Sequence, residues 1–142
     1  MRRGFSLTEL LVAMAVAGVV AAMSLPAAGR WRARLAVDRA VRDLVGAHGL
    51  ARISAVARGA HVVLEVRTDS LIIHPDHQPD SVVWAIPGPS AAGVALTGPS
   101  YALRFSPMGV SVGVSNGTWT FSRGGFTRSV IISRWGRIRY AP

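Results

Sequence analysis

Two stretches of the sequence hold residues whose types and spacing could do chemistry. Glu9 is a lone carboxylate inside an apolar run from Phe5 to Leu25. An acid at a bilayer centre costs about 2.5–3.5 kcal/mol on insertion scales, so its chemistry would be ion pairing in a low-dielectric setting. Near the other end, Arg134-Trp135-Gly136-Arg137-Ile138-Arg139 sets three guanidinium groups around an indole. Arginine contacts phosphate and an exposed Trp or Tyr can stack on a base. A third cluster, His74-Pro75-Asp76-His77-Gln78-Pro79-Asp80, could attract a metal. Its proline-broken loop lacks helical geometry and a fixed third ligand, so it reads as a polar hairpin loop and no metal is expected. No serine stands in a nucleophile-elbow context, no glycine loop cradles phosphate and no paired acids suggest hydrolysis. The sequence therefore predicts neither an enzyme nor a cofactor. Without cysteine, disulfides and thiolate metal sites are excluded.

The element that positions Glu9 is a helix. About 21 residues at ~1.5 Å rise give roughly 31 Å, the thickness of a hydrocarbon core. One reading is a secretory signal peptide, with Arg2 and Arg3 as its basic region and a cleavage site among Ala21 to Ala28. Another is a plain anchor held by those arginines toward the cytoplasm. In either, Glu9 would be a charge snorkelling to the interface. A discarded signal peptide gains nothing from a carboxylate in its apolar core.

A third reading comes from resemblance. Gly4-Phe5-Ser6-Leu7-Thr8-Glu9-Leu10-Leu11-Val12, behind a basic pair, resembles the class III signal of type IV pilins and pseudopilins. The resemblance implies cleavage after Gly4 by a prepilin peptidase, N-methylation of the new terminus Phe5, and an assembly role for Glu9. Among packed copies of such a helix, a buried carboxylate needs a cation, and a neighbour's freed α-amino group can supply one.

Beyond Leu25 the helix is expected to continue, loosened by Pro26 and Gly29. Residues 30 to 58 read as amphipathic, with Val37, Val41 and Leu44 followed by Leu50, Ile53 and Ala57 on a drifting face. Asp38 with Arg42 and Arg39 with Asp43 have the spacing of i,i+4 ion pairs. Gly59 suits a helix end. From His61 the period becomes alternating, with strands expected at 62–66, 70–74, 82–86, 94–97, 101–106, 109–114, 118–122, 126–133 and 137–140. Asn116-Gly117 reads as a type I′ hairpin turn, which also accounts for the formal glycosylation sequon there. The predicted fold is α+β, a long N-terminal helix packed on a C-terminal antiparallel sheet domain. The expected organisation is a leader at 1–4, a membrane and filament-core helix at 5–29, its amphipathic continuation at 30–59 and a β-rich domain at 60–142.

The C-terminal half extends the resemblance. Phe105-Ser106-Pro107-Met108-Gly109, a glycine-turned hairpin, Ser129-Val130-Ile131-Ile132-Ser133 and Gly136-Arg137-Ile138-Arg139 are similar to the GspH/FimT family. Membership implies an H-type minor pseudopilin of type II secretion, a subunit that initiates or caps a periplasmic pseudopilus. Its partners would be other pilin or pseudopilin subunits, the prepilin peptidase and the inner membrane, with the C-terminal domain outside. The alternative is a FimT-like type IV minor pilin that binds DNA for uptake through its Gly-Arg-Ile-Arg region.

Charge favours weighing that alternative. The net charge is +9, and all sixteen basic residues are Arg. Residues 104 to 142 hold six Arg and no acid, an electrostatic footprint for a polyanion. The candidate DNA contacts are Arg123, Arg128, Arg134, Arg137 and Arg139. A solvated edge strand guarded by arginine against unwanted pairing would have the same composition.

Overall fold

The computed structural model describes residues 6–141. One helix, α1, runs from Leu7 to Arg58, and nine strands follow. The chain falls into two compact units that divide between Arg32 and Ala33.

In the first unit every described side chain of α1 is exposed. Leu7, Leu10, Leu11, Val12, Met14, Val16, Val19 and Val20 are all more than half exposed. The segment is long and apolar enough to cross a membrane. A run of eight bare aliphatic side chains is not stable against water, since each gains about 1.5–3 kcal/mol from burial. Such a segment is consistent with a single-pass membrane anchor.

In the second unit, α1 buries Ala33, Val37, Ala40, Val41, Leu44, Ala47, Ala51 and Ala55. Steps of three and four keep these on one stripe. The expected face is corrected in its second half: Leu50, Ile53 and Ala57 are exposed, and Ala47, Ala51 and Ala55 take the core side. Alanine at those turns brings the helix backbone close to the sheets, where the bulkier residues would not fit. The helix ends in a Schellman arrangement, Gly59 N–H donating to Val56 O (3.2 Å) and Ala60 N–H to Ala55 O (3.3 Å).

The strands are β1 (Val62–Val66), β2 (Ser70–Pro75), β3 (Trp84–Pro87), β4 (Ala95–Thr97), β5 (Leu103–Phe105), β6 (Ser111–Val112), β7 (Gly117–Arg123), β8 (Phe126–Ile132) and β9 (Ile138–Ala141). They form two antiparallel sheets, ordered β3-β2-β1-β5-β6 and β4-β7-β8-β9. A short 3-10 helix, Pro89–Ala92, precedes β4 in the segment where the sequence shows little periodicity. Val62, Leu64, Leu71, Ile73, Leu103 and Phe105 from the first sheet meet Trp119, Phe121, Val130 and Ile132 from the second over the α1 stripe, in one core.

Two sequence expectations are corrected here. Asn116-Gly117 is no hairpin turn: β6 pairs with β5 and β7 with β8, so the chain changes sheet between them. The hairpin turn lies one strand later at Gly124-Gly125, both at positive φ (55° and 80°), the signature a type I′ turn requires. Asp38 turns away from Arg42 and pairs with Arg128 of β8 (3.2 Å), while Arg39 and Asp43 do approach each other (3.8 Å). A partly buried acid beside the sheet finds a better-fixed partner across the interface than along its own helix.

Candidate functional site

Gly4 and Phe5 lie outside the described residues. Glu9 sits exposed in the first turn of α1. Ser6 directly precedes the helix, and its carbonyl accepts from Leu10 N–H (3.1 Å). Ser6 is thus the N-cap and Glu9 the third helical residue, the Ser-x-x-Glu spacing of a capping box, with the Ser6 hydroxyl bonded to that of Thr8 (2.7 Å). The unpaired N–H groups of this turn favour a nearby carboxylate by about 0.3–1 kcal/mol. A local reason for an acid at Glu9 therefore stands beside pairing with a neighbouring subunit, and charge and capping are separable by substitution.

The six C-terminal arginines divide into two sets. Three are held within the fold. Arg104 pairs with Asp76 (3.2 Å). Arg123 donates to the carbonyl of Ala92. Arg128 pairs with Asp38 and lies over the Phe126 ring (5.8 Å to the centroid). Arg128 shares its sheet face with the buried Val130 and Ile132, the side turned to α1. Of the five candidates, Arg123 and Arg128 are thus committed to structure.

Arg134, Arg137 and Arg139 are exposed, and their guanidinium groups make no ion pair with any described residue. Arg134 lies in the loop between β8 and β9, Arg137 closes that loop and Arg139 lies in β9. Ser133 N–H donates to Arg137 O (2.9 Å) and Gly136 N–H to Ser133 O (2.8 Å). Arg137 N–H donates to Ser133 Oγ (3.1 Å). Arg134, Trp135 and Gly136 are thereby a three-residue hairpin loop with glycine at the left-handed position (φ 73°). Arg139 lies opposite Ile131 in the ladder, and Arg137, two residues before it, opposite Ser133. Side chains two apart on a strand share a face, so Arg137 and Arg139 point to the same side.

Packing beneath fixes the loop. Ser115, buried, donates its hydroxyl to Arg134 O (3.3 Å). A Cβ on Gly136 would stand 3.2 Å from Ser111 Oγ and 3.8 Å from the His48 ring. His48 is buried, packs edge-on against Phe105 (5.0 Å between centroids), and its Nε2 has no hydrogen-bond partner among the described residues. Burial first, and the Arg52 guanidinium second, hold its pKa below the usual histidine value. The loop therefore rests on the Ser111 and Ser115 hydroxyls and on a His48 ring whose protonation burial disfavours.

Trp135 stands 83 % exposed at the tip. With Arg134 it forms one wall of an open cleft of about 560 Å³, whose other wall is Val110, Ser111, Val112 and Gly113. This second wall was not legible in the sequence, because it requires β6 of one sheet to reach the β8–β9 loop of the other. Among the described residues there is no cluster of three His, Cys, Asp or Glu side chains.

A 52-residue N-terminal helix over antiparallel sheets is the type IV pilin-like architecture. Two crystal structures of the type IV minor pilin FimU from Pseudomonas aeruginosa superpose on the chain. One has a TM-score of 0.64 at 21 % identity, covering 77 % of this chain and 90 % of that one. The other has a TM-score of 0.59 at 20 % identity, covering 74 % and 92 %. Residues 40–136 match the family described as Type II transport protein GspH, and residues 1–25 match the prokaryotic N-terminal methylation motif. The pilin-like protein PilA1 of Thermus thermophilus is 31 % identical over 160 residues, covering 97 % of both chains. The protein belongs to the GspH family of pilin-like subunits, which are structural proteins and not enzymes.

Proposed function

We propose that this protein is a low-copy subunit of a type IV pilus-like filament, anchored in the bacterial inner membrane until assembly. In this account prepilin peptidase cuts after Gly4, Phe5 is methylated, and the domain from Ala33 onward lies outside the cytoplasm. The observation that carries the reading is the bare apolar segment of α1 with Glu9 in its first turn. The name of the Thermus relative, a pilin-like protein, supports the pilus reading, while the description of the GspH family keeps the type II secretion role, which the sequence put first, as the alternative. Glu9→Gln separates the two reasons for the acid. A glutamine still serves a capping box but has no charge for a neighbour's α-amino group. Subunit pairing predicts normal membrane insertion and loss of filament incorporation, read by immunoblot of sheared filaments. Incorporation at the wild-type level would dispose of the pairing.

A second reading has its own support in Arg134, Arg137 and Arg139, exposed beside Trp135 and without an ion-pair partner among the described residues. They fit capture of DNA through phosphate contacts. Each phosphate contact contributes about 0.9 to the slope of log affinity against log salt on duplex DNA. Arg137→Ala with Arg139→Ala should therefore flatten the slope by roughly 2. Absence of DNA binding at low salt would remove this reading without touching the filament role.

A further inference from the structure

We propose that the cleft between Trp135 and residues 110–113, around β6, receives an unpaired nucleobase, making a single DNA strand or a frayed end the preferred ligand. The inference rests on the nucleic-acid reading above and adds a residue, a wall and a strand preference to it. Folding binds three of the six C-terminal arginines internally and leaves the other three around one loop. Arg137 and Arg139 are two residues apart on one strand face, about 6.8 Å at Cα, a spacing suited to successive charges along a polyanion. Charge alone would suit any polyanion. The indole and the facing valines do not: Val110 and Val112 are 44 % and 41 % exposed, and Trp135 is 83 % exposed.

A cleft lined by the Trp135 indole, Val110, Val112 and Arg134, with the exposed Arg137 and Arg139 following in the same hairpin, matches a ligand with regularly spaced anions and a planar, weakly polar face. A duplex keeps its bases in the stack and offers the loop only phosphates. A single strand offers both. The loop is also prepared for stacking. Its backbone is tied by Ser133 and Ser115, and Gly136 rests against Ser111 and His48, so little ordering is left to binding. A neighbouring protein subunit with an acidic, apolar segment is the competing occupant, and the test distinguishes it.

The full chain in detergent micelles is titrated with oligo(dT) and with a duplex of equal length, by fluorescence anisotropy of the labelled DNA at low salt. Stacking is worth about 1–3 kcal/mol per base, so Trp135→Ala should weaken oligo(dT) binding roughly 5- to 150-fold. Duplex binding should change less than about threefold, and Trp135→Phe should retain most of the single-strand affinity. Equal loss on both ligands, or on neither, overturns the base-stacking proposal. If Arg137→Ala with Arg139→Ala still weakens both ligands in that case, the broader DNA reading survives. Failure of the wild-type chain to bind either ligand overturns both. Loss of partner-subunit recovery by Trp135→Ala, with DNA binding untouched, assigns the cleft to a protein and also overturns the proposal.

Discussion

Replacing Ala51 by Leu tests the packing of α1 on the sheets. Ala51 has no exposed surface and lies midway along the run Ala47, Ala51 and Ala55, all fully buried against the core. Leucine there forces three additional carbons into a filled space, and overpacking of this kind costs about 1–3 kcal/mol. For a domain near 100 residues each kcal/mol moves Tm by about 4–8 °C, so a loss of roughly 5–20 °C is expected. Ile53→Ala removes as many carbons from a position 66 % exposed and should change stability by about 0.5 kcal/mol or less. Thermal unfolding of the chain in detergent, followed by near-UV circular dichroism, to which the buried Trp119 contributes, reads both variants. A larger loss from Ile53→Ala than from Ala51→Leu would mean that the helix is rotated from the orientation described here.

Asp38→Ala and Arg128→Ala should each destabilise by about 1 kcal/mol or less, because both side chains keep partial contact with water, and a double-mutant cycle should show coupling that weakens with added salt. His48 is held neutral in the fold, so the unfolded chain binds the extra proton. Stability should be full above about pH 6.5 and fall as pH drops below it, and urea midpoints between pH 7 and 5 should lose that slope in His48→Phe. Gly136→Ala places a side chain at φ 73° and 3.2 Å from Ser111 Oγ, so it should cost about 1–2 kcal/mol and weaken DNA binding by displacing Trp135.

Much of the fold was legible because its signals are local. The apolar run of α1, the alternation of Val62, Leu64 and Val66, and the glycine closing the helix at Gly59 each declare themselves within a few residues. The errors arose where the deciding partner is distant. Asn116-Gly117 has ideal hairpin chemistry, yet its flanking strands belong to different sheets. Leu50 and Ile53 are better core residues than alanine by hydrophobicity, but the gap between helix and sheet selects for size. The same holds at the site. The cationic loop could be read from its residues, whereas the commitment of Arg128 to Asp38 and the valine wall facing Trp135 exist only once the sheets meet.

The central claim is that the apolar helix, once freed of its leader, is the part by which the subunit enters a filament. Intact-mass spectrometry of the subunit recovered from sheared, purified filaments tests it most directly. The account predicts a chain beginning at Phe5 with one added methyl group. A chain still carrying Met1 to Gly4, one starting near Ala27, or its absence from the filaments would contradict it.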